Sequence, residues 1–135
     1  MTLEQALRTH WQTSAELSAS IPLGRLWVDE DNGGALPFAV VSLVHVAPQS
    51  ASCDDRHDLA TVRLTVIDDD FERGAQIATR ARDHFDRVEL ALGASGTTVQ
   101  HTRAKKSERH RDPDGTWRFE LDIELLLHKA TASHG

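Results

Sequence analysis

The segment Leu36-Pro37-Phe38-Ala39-Val40-Val41-Ser42-Leu43-Val44 is apolar at odd and even positions alike, the pattern of a strand covered on both faces. Leu59 to Ile67 alternates instead, with Val62, Leu64 and Val66 on one face. Leu3, Ala6, Leu7, Trp11 and Ala15 recur at steps of three and four and predict a first helix from Leu3 to about Leu17. Ser18, Ser20, Pro22 and Gly24 break that pattern. Arg25 to Asp29 is a short strand, and Asp31-Asn32-Gly33-Gly34 is a turn before the strand from Leu36 to Val46. Residues 47–58 are polar and predict a flexible loop.

Asp68-Asp69-Asp70 supplies a capping side chain and negative charge at a helix start. The helix is expected from about Phe71 to Leu92, with Ile77, Ala81, Phe85, Val88 and Leu92 as its buried stripe and Gly93 at its end. The last third reads as a hairpin. Thr97 to about Arg109 forms one arm, and Trp117, Phe119, Leu121, Ile123 and Leu125 mark the inward face of the other. Asp112-Pro113-Asp114-Gly115 is the turn between them. One register sets Lys105 opposite Asp122 and Arg103 opposite Glu124; a three-residue loop with Gly115 as a bulge suits the turn better but shifts those pairs. Residues 129–135 read as a disordered tail.

Hairpin-length links between most strands give an α+β fold: a mainly antiparallel sheet of four to five strands packed with two helices, one domain over residues 1–135. Two helices are few to cover both faces of a sheet. Some of the cover is therefore expected from another subunit.

Composition narrows the function more than it names it. The start of the chain lacks the blocks of a signal peptide, and no run is long enough to cross a bilayer. Cys53 is the single cysteine, so an intrachain disulfide is excluded and an intracellular site of synthesis is expected. The net charge of −6 argues against general coating of nucleic acid. Arg103, Lys105, Lys106, Arg109 and Arg111 nonetheless form a local basic stretch, read as a docking surface or charged edge and not as a sequence-reading site.

Candidate chemistry is sparse. Cys53, Asp54, Asp55, His57 and Asp58 are the densest group of potential ligands, but zinc sites usually show two spaced Cys or His pairs. His45, His101 and His128 lie on expected strands that could bring them together. Gly93-Ala94-Ser95-Gly96 follows a helix instead of preceding one, which makes it a poor phosphate cradle. Glu120, Asp122 and Glu124 alternate with a buried face and are explained by solvation or cross-strand pairing. No catalytic, cofactor or metal residue is assigned. Trp11 and Trp117 fit a core; Trp27, beside a glycine-rich loop, is either core or an interface anchor.

The succession Leu3-Glu4-Gln5-Ala6-Leu7, Pro22-Leu23-Gly24-Arg25-Leu26-Trp27, Leu36-Pro37-Phe38-Ala39-Val40-Val41, Val62-Arg63-Leu64-Thr65-Val66 and Ala75-Gln76-Ile77-Ala78, closed by a hairpin turning at Asp114-Gly115, resembles the small tail-completion (tail-terminator) proteins of bacteriophages and prophages, of the minor tail protein U type. The resemblance implies a non-enzymatic structural protein. It would form rings, typically of six subunits, that cap the tail-tube protein and meet the head-connector protein. It would be made in the host cytoplasm and carried in the virion tail. Interface candidates are Trp27, Arg103, Lys105, Lys106 and Arg109. The alternatives are a small enzyme or metal-binding protein using the Cys53–His57 loop, or a domain of the same fold with a non-phage binding role.

Overall fold

The computed structural model describes residues 3–29, 35–51, 55–91 and 97–130. Two short helices open the chain, α1 (Leu3–Gln12) and α2 (Ala15–Ser20), followed by a 3-10 turn (Leu23–Arg25) and strand β1 (Leu26–Val28). Two long strands follow, β2 (Phe38–Ala51) and β3 (Asp55–Asp68). Helix α3 (Phe71–Phe85), the short β4 (Leu90–Ala91), and the long β5 (Thr97–Arg111) and β6 (Trp117–Ala130) complete the chain. They form a six-stranded sheet in the order β1-β2-β3-β6-β5-β4, antiparallel except where β1 pairs with β2. The α+β class, with a mainly antiparallel sheet, is as expected. The sheet's four long strands carry most of it, with a short strand at each edge.

The expected first helix is two helices. The Ser14 hydroxyl caps α2 by accepting the Leu17 N–H at 3.2 Å, and the Thr13 hydroxyl donates to the His10 carbonyl at 2.6 Å. Such local side-chain bonds offer the backbone an alternative to continuing the helix. The break turns the chain back so that Trp11, Leu17 and Ile21, all fully buried, enter one core. There the Trp11 Nε1–H donates to the Ile21 carbonyl at 2.9 Å.

Helix α3 also departs from its expected length. It ends at Phe85, not near Leu92, and Leu92 and Gly93 lie outside the described residues. Arg87 takes a positive φ of 58°, and the following backbone turns onto the edge of β5. Arg87 N–H donates to the Thr102 carbonyl at 2.8 Å, Val88 N–H to the Thr102 hydroxyl at 3.0 Å, and Ala104 N–H to the Asp86 carboxylate at 2.9 Å. Thr102, fully buried, also donates its hydroxyl to the Phe85 carbonyl. These bonds are worth more to the chain than another helical turn, so Val88 leaves the stripe.

Residues 47–58 were expected as a loop, yet β2 runs to Ala51 and β3 begins at Asp55. Pairing explains this, because every position from Ala51 to Phe38 falls within a continuous antiparallel ladder interrupted only by two bulges. Residues 52–54 lie outside the described residues. Likewise β6 continues to Ala130 where a tail was expected from residue 129; residues 131–135 are outside the described set.

The turn of the last hairpin is the three-residue loop. Asp112 N–H donates to the Thr116 carbonyl at 2.8 Å, and Gly115 has φ +92°, a conformation glycine adopts without steric cost. That register pairs Lys106 with Asp122, but a bulge between Ala104 and Lys106 then restores Arg103 opposite Glu124. The bulge lets the turn residues and the charge pair both be satisfied.

The core lies between one face of the sheet and the helices. Val62, Leu64, Val66, Leu121, Ile123 and Leu125 meet Ile77, Ala81 and Phe85 there. Asp68, fully buried at the end of β3, accepts from Arg73 Nε at 2.7 Å and from the Asp70 N–H at 3.2 Å. Burial alone would push the Asp68 carboxyl up; the hydrogen bonds from Arg73 and Asp70 outweigh it and hold the group below its usual range.

Candidate assembly surfaces

Among the described residues the opposite face of the sheet has no helix. Near β1 a small second cluster forms, with Phe38, Val40 and Ile67 buried and Trp27 and Leu36 packed on them. Trp27 is therefore part of this cluster and half-buried, and its indole N–H finds no partner among the described residues. Beyond that cluster the open face is charged. Arg63 makes a two-pronged contact with Asp122, at 2.8 and 3.3 Å, and lies 3.9 Å from Glu120. The bond to Asp122 holds the Arg63 guanidinium above its ordinary pKa.

The basic stretch of β5 is not a single strip. Strand alternation places Arg103 and Lys106 on the open face, opposite Glu124 and Asp122, while Arg109 and Arg111 pair with Phe119 and Trp117 on the helix side. Arg109 stands 5.2 Å from the centre of the Phe71 ring and Arg111 5.5 Å from that of Trp117. Lys105 reaches Glu124 at 3.7 Å and Lys106 reaches Glu108 at 2.8 Å. Lys106 in turn keeps the Glu108 carboxyl below its usual range. A stretch so divided and so partnered is a poor phosphate-tracking surface.

The ligand-rich segment fares no better as a site. Cys53 and Asp54 lie outside the described residues, while His57 and Asp58 are successive residues of β3 and so point to opposite faces. His45, His101 and His128 make no ring contact with one another among the described residues. His128 instead meets His57 at 4.9 Å, and His10 stacks on His84 at 4.1 Å. A grouping that sequence inspection missed is Glu108, His110 and Glu120, whose donor atoms lie within 4.8 Å of one another. The cross-strand pairing of Glu108 with Glu120 could have revealed it, but only once the bulge was known. His110 Nε2 is 2.9 Å from Glu120 and 3.5 Å from Glu108, and Lys106 and Arg63 stand by these carboxylates as counter-charges. The carboxylates are thus neutralised by the protein's own cations. The geometry could admit a divalent ion only by displacing them.

Two features remain unexplained by internal packing. Leu43, Val44 and Val46 on β2 are the large apolar side chains left exposed among the described residues, at 43, 49 and 43%. They lie past the point where β1 stops pairing with β2, at Val41. Toward the other edge of the sheet, on its helix side, a groove of about 570 Å³ runs between α3 and the β5–β6 hairpin. Ala75 and Ala78 form its wall, Phe119 and Leu121 its floor, and Arg82, Asp83 and Arg109 its rim. An exposed apolar row on a strand with one uncovered edge marks a surface for association.

Among the described residues, β1 and β4 thus leave part of each sheet edge without a pairing strand. The family model for tail completion protein gp17 matches residues 5–128, and the chain belongs to this family of phage structural tail proteins. A chain in the solved virion of a native gene transfer agent particle is similar in fold, with a TM-score of 0.74 and 19% identity over 93% of this chain and 94% of that one. A second solved structure, of a protein without a functional name, has a TM-score of 0.55 and 11% identity over 98% of this chain and 92% of its own. No curated protein matches the chain. No helix among the described residues is long and apolar enough to cross a membrane.

Proposed function

We propose that this protein completes a phage or prophage tail as a ring at its head-joining end, with six copies in the assembled form, seated on the tail-tube protein and facing the head-connector protein. It is made in the host cytoplasm and ends in the virion tail. Its role is structural, without catalysis, cofactor or sequence-specific nucleic-acid binding. The observation that carries this reading is the exposed row Leu43, Val44 and Val46 on a stretch of β2 that β3 pairs on one side and β1 does not reach on the other, in a chain that belongs to the tail completion family. A structural tail protein works in contact with other proteins, and among the described residues this row is an apolar surface open to one. The fold it shares with a chain of a gene transfer agent virion supports the same reading.

The test is to mix purified protein with assembled tail tubes of the matching system and image the tube ends. A ring-shaped density at one end is the expected outcome. Bare ends at concentrations well above that of the tubes overturn the proposal while leaving the fold untouched.

A further inference from the structure

Among the described residues the sheet has two stretches of edge without a pairing strand, at opposite ends of its strands. On β2, β1 covers only Ala39 to Val41; on β5, β4 covers Thr98 and Val99, and residues 86–88 bond the edge at Thr102 and Ala104. Following the ladder across the sheet, Ala39 is level with Val66, Phe119 and Arg109, while Val99 is level with Leu127, Asp58 and Pro48. Where β2 is blocked, β5 is open; where β5 is blocked, β2 is open. We propose that neighbouring copies join by antiparallel pairing of β2 beyond Ser42 in one copy with β5 beyond Ala104 in the next, with Leu43 and Val46 entering the groove beside α3. This deepens the ring reading above and rests on it.

Three independent features agree. The first is direction. β2, β3, β6 and β5 are successively antiparallel, so β2 and β5 run oppositely, and a second copy set edge to edge with the same face outward meets the first as an antiparallel pair. A stagger of about half a strand aligns the open stretches, and β1 and β4 then act as stops that fix it. The second is face. Leu43 pairs with Val62 and Val46 with Ala60, both core residues, so Leu43 and Val46 lie on the helix side of the sheet. The groove is on that same side, floored by Phe119 and Leu121. The third is chemistry. Leu43 to Pro48 carries no Asp, Glu, Lys or Arg, and within a groove otherwise rimmed by charged side chains Ala75, Ala78, Phe119 and Leu121 offer an apolar strip to receive it. A patch that meets a different patch on the next copy is the contact from which rings close.

Cysteine cross-linking on tube ends tests this. In a Cys53→Ser background, Val46→Cys and Ser107→Cys variants are prepared separately and treated with a short bismaleimide, alone and mixed, in the presence of matching tail tubes. Covalent dimers in the mixed sample and none in either variant alone are expected. Dimers within a single-variant sample, or capped tubes with no dimers in the mixture, overturn the pairing while the ring role stands. A Leu43→Lys, Val46→Lys double variant is expected to keep the wild-type melting temperature and lose capping, because it would carry two ammonium groups onto the apolar strip of the groove. Capping by that variant at the wild-type level also overturns the pairing. If the unmodified protein leaves matching tubes bare, both the ring role and the pairing fall.

Discussion

The two faces of the sheet are held by different physics. On the helix side Val62, Leu64, Val66, Ile123 and Leu125 are buried against α1 and α3, and little there tolerates a change of volume. On the other side Arg63, Lys106, Glu108, His110, Glu120 and Asp122 form a lattice of ion pairs in contact with solvent. Apolar contacts on the first face are additive in dispersion and hydrophobic burial. The ion pairs on the second are screened by water and salt, and their value lies in keeping a broad uncovered face polar. The molecule can therefore leave one face without helices and remain well folded.

The largest expected effect is Trp11→Ala, which empties the most voluminous fully buried site and removes the bond to Ile21. A loss of about 3–5 kcal/mol is expected by urea denaturation; a loss below 1 kcal/mol would break the contrast between the faces. Gly74→Ala comes next. A Cβ there would lie 2.5 Å from the Phe119 ring, since α3 crosses β6 at its glycine. The helix preference gained is at most about 1 kcal/mol, and overpacking costs about 1–3 kcal/mol. Net destabilisation is expected; a rise in melting temperature would show that the ring gives way freely.

Acidification probes the helix side more gently. Burial holds His10 below its ordinary pKa, with the neighbouring His84 charge acting the same way against a favourable bond to the His84 carbonyl. The folded state thus prefers the neutral ring. Its contribution is full above the unfolded pKa of about 6.5 and is lost as pH falls through the folded value. Stability is expected to decline from pH 7 toward pH 5, and a His10→Gln variant should flatten that slope. An unchanged slope in the variant removes His10 as its source. The smallest effect belongs to the open face. Asp122→Ala, which breaks the contact with the largely solvated Arg63, should cost roughly 0.2–1 kcal/mol and less at high salt. A cost several times larger would mean that the two faces are not so different after all.

Periodicity made much of this legible. The steps in Leu3 to Trp11 and Ile77 to Phe85, and the alternation of Val62 to Val66 and Phe119 to Leu125, each correspond to a real buried face. The acidic triplet capped α3, with Asp70 accepting the Arg73 N–H at 3.1 Å. Where the reading failed, a local signal was outweighed by a distant partner. Residues 47–58 are polar and look like a loop, but β3 and β6 lie alongside to pair them. Val88 continues a helical stripe, but Thr102 offered its backbone other bonds. The basic stretch of β5 looked continuous because charge was read along the chain and not across the strand.

Sequence alone determined the α+β class, the order of the long elements, the turn at Gly115 and the apolar identity of the β2 segment, because each depends on side-chain period or on backbone conformations few residues adopt. It could not determine which part of that apolar strand would be covered. Tertiary structure decided this: Trp27 of β1 and Leu36 pack on Phe38 and Val40 and bury them, while past Val41 Leu43, Val44 and Val46 are exposed. Burial is a property of neighbours brought from elsewhere in the chain. The pattern of a strand states only that it is able to be covered on both sides.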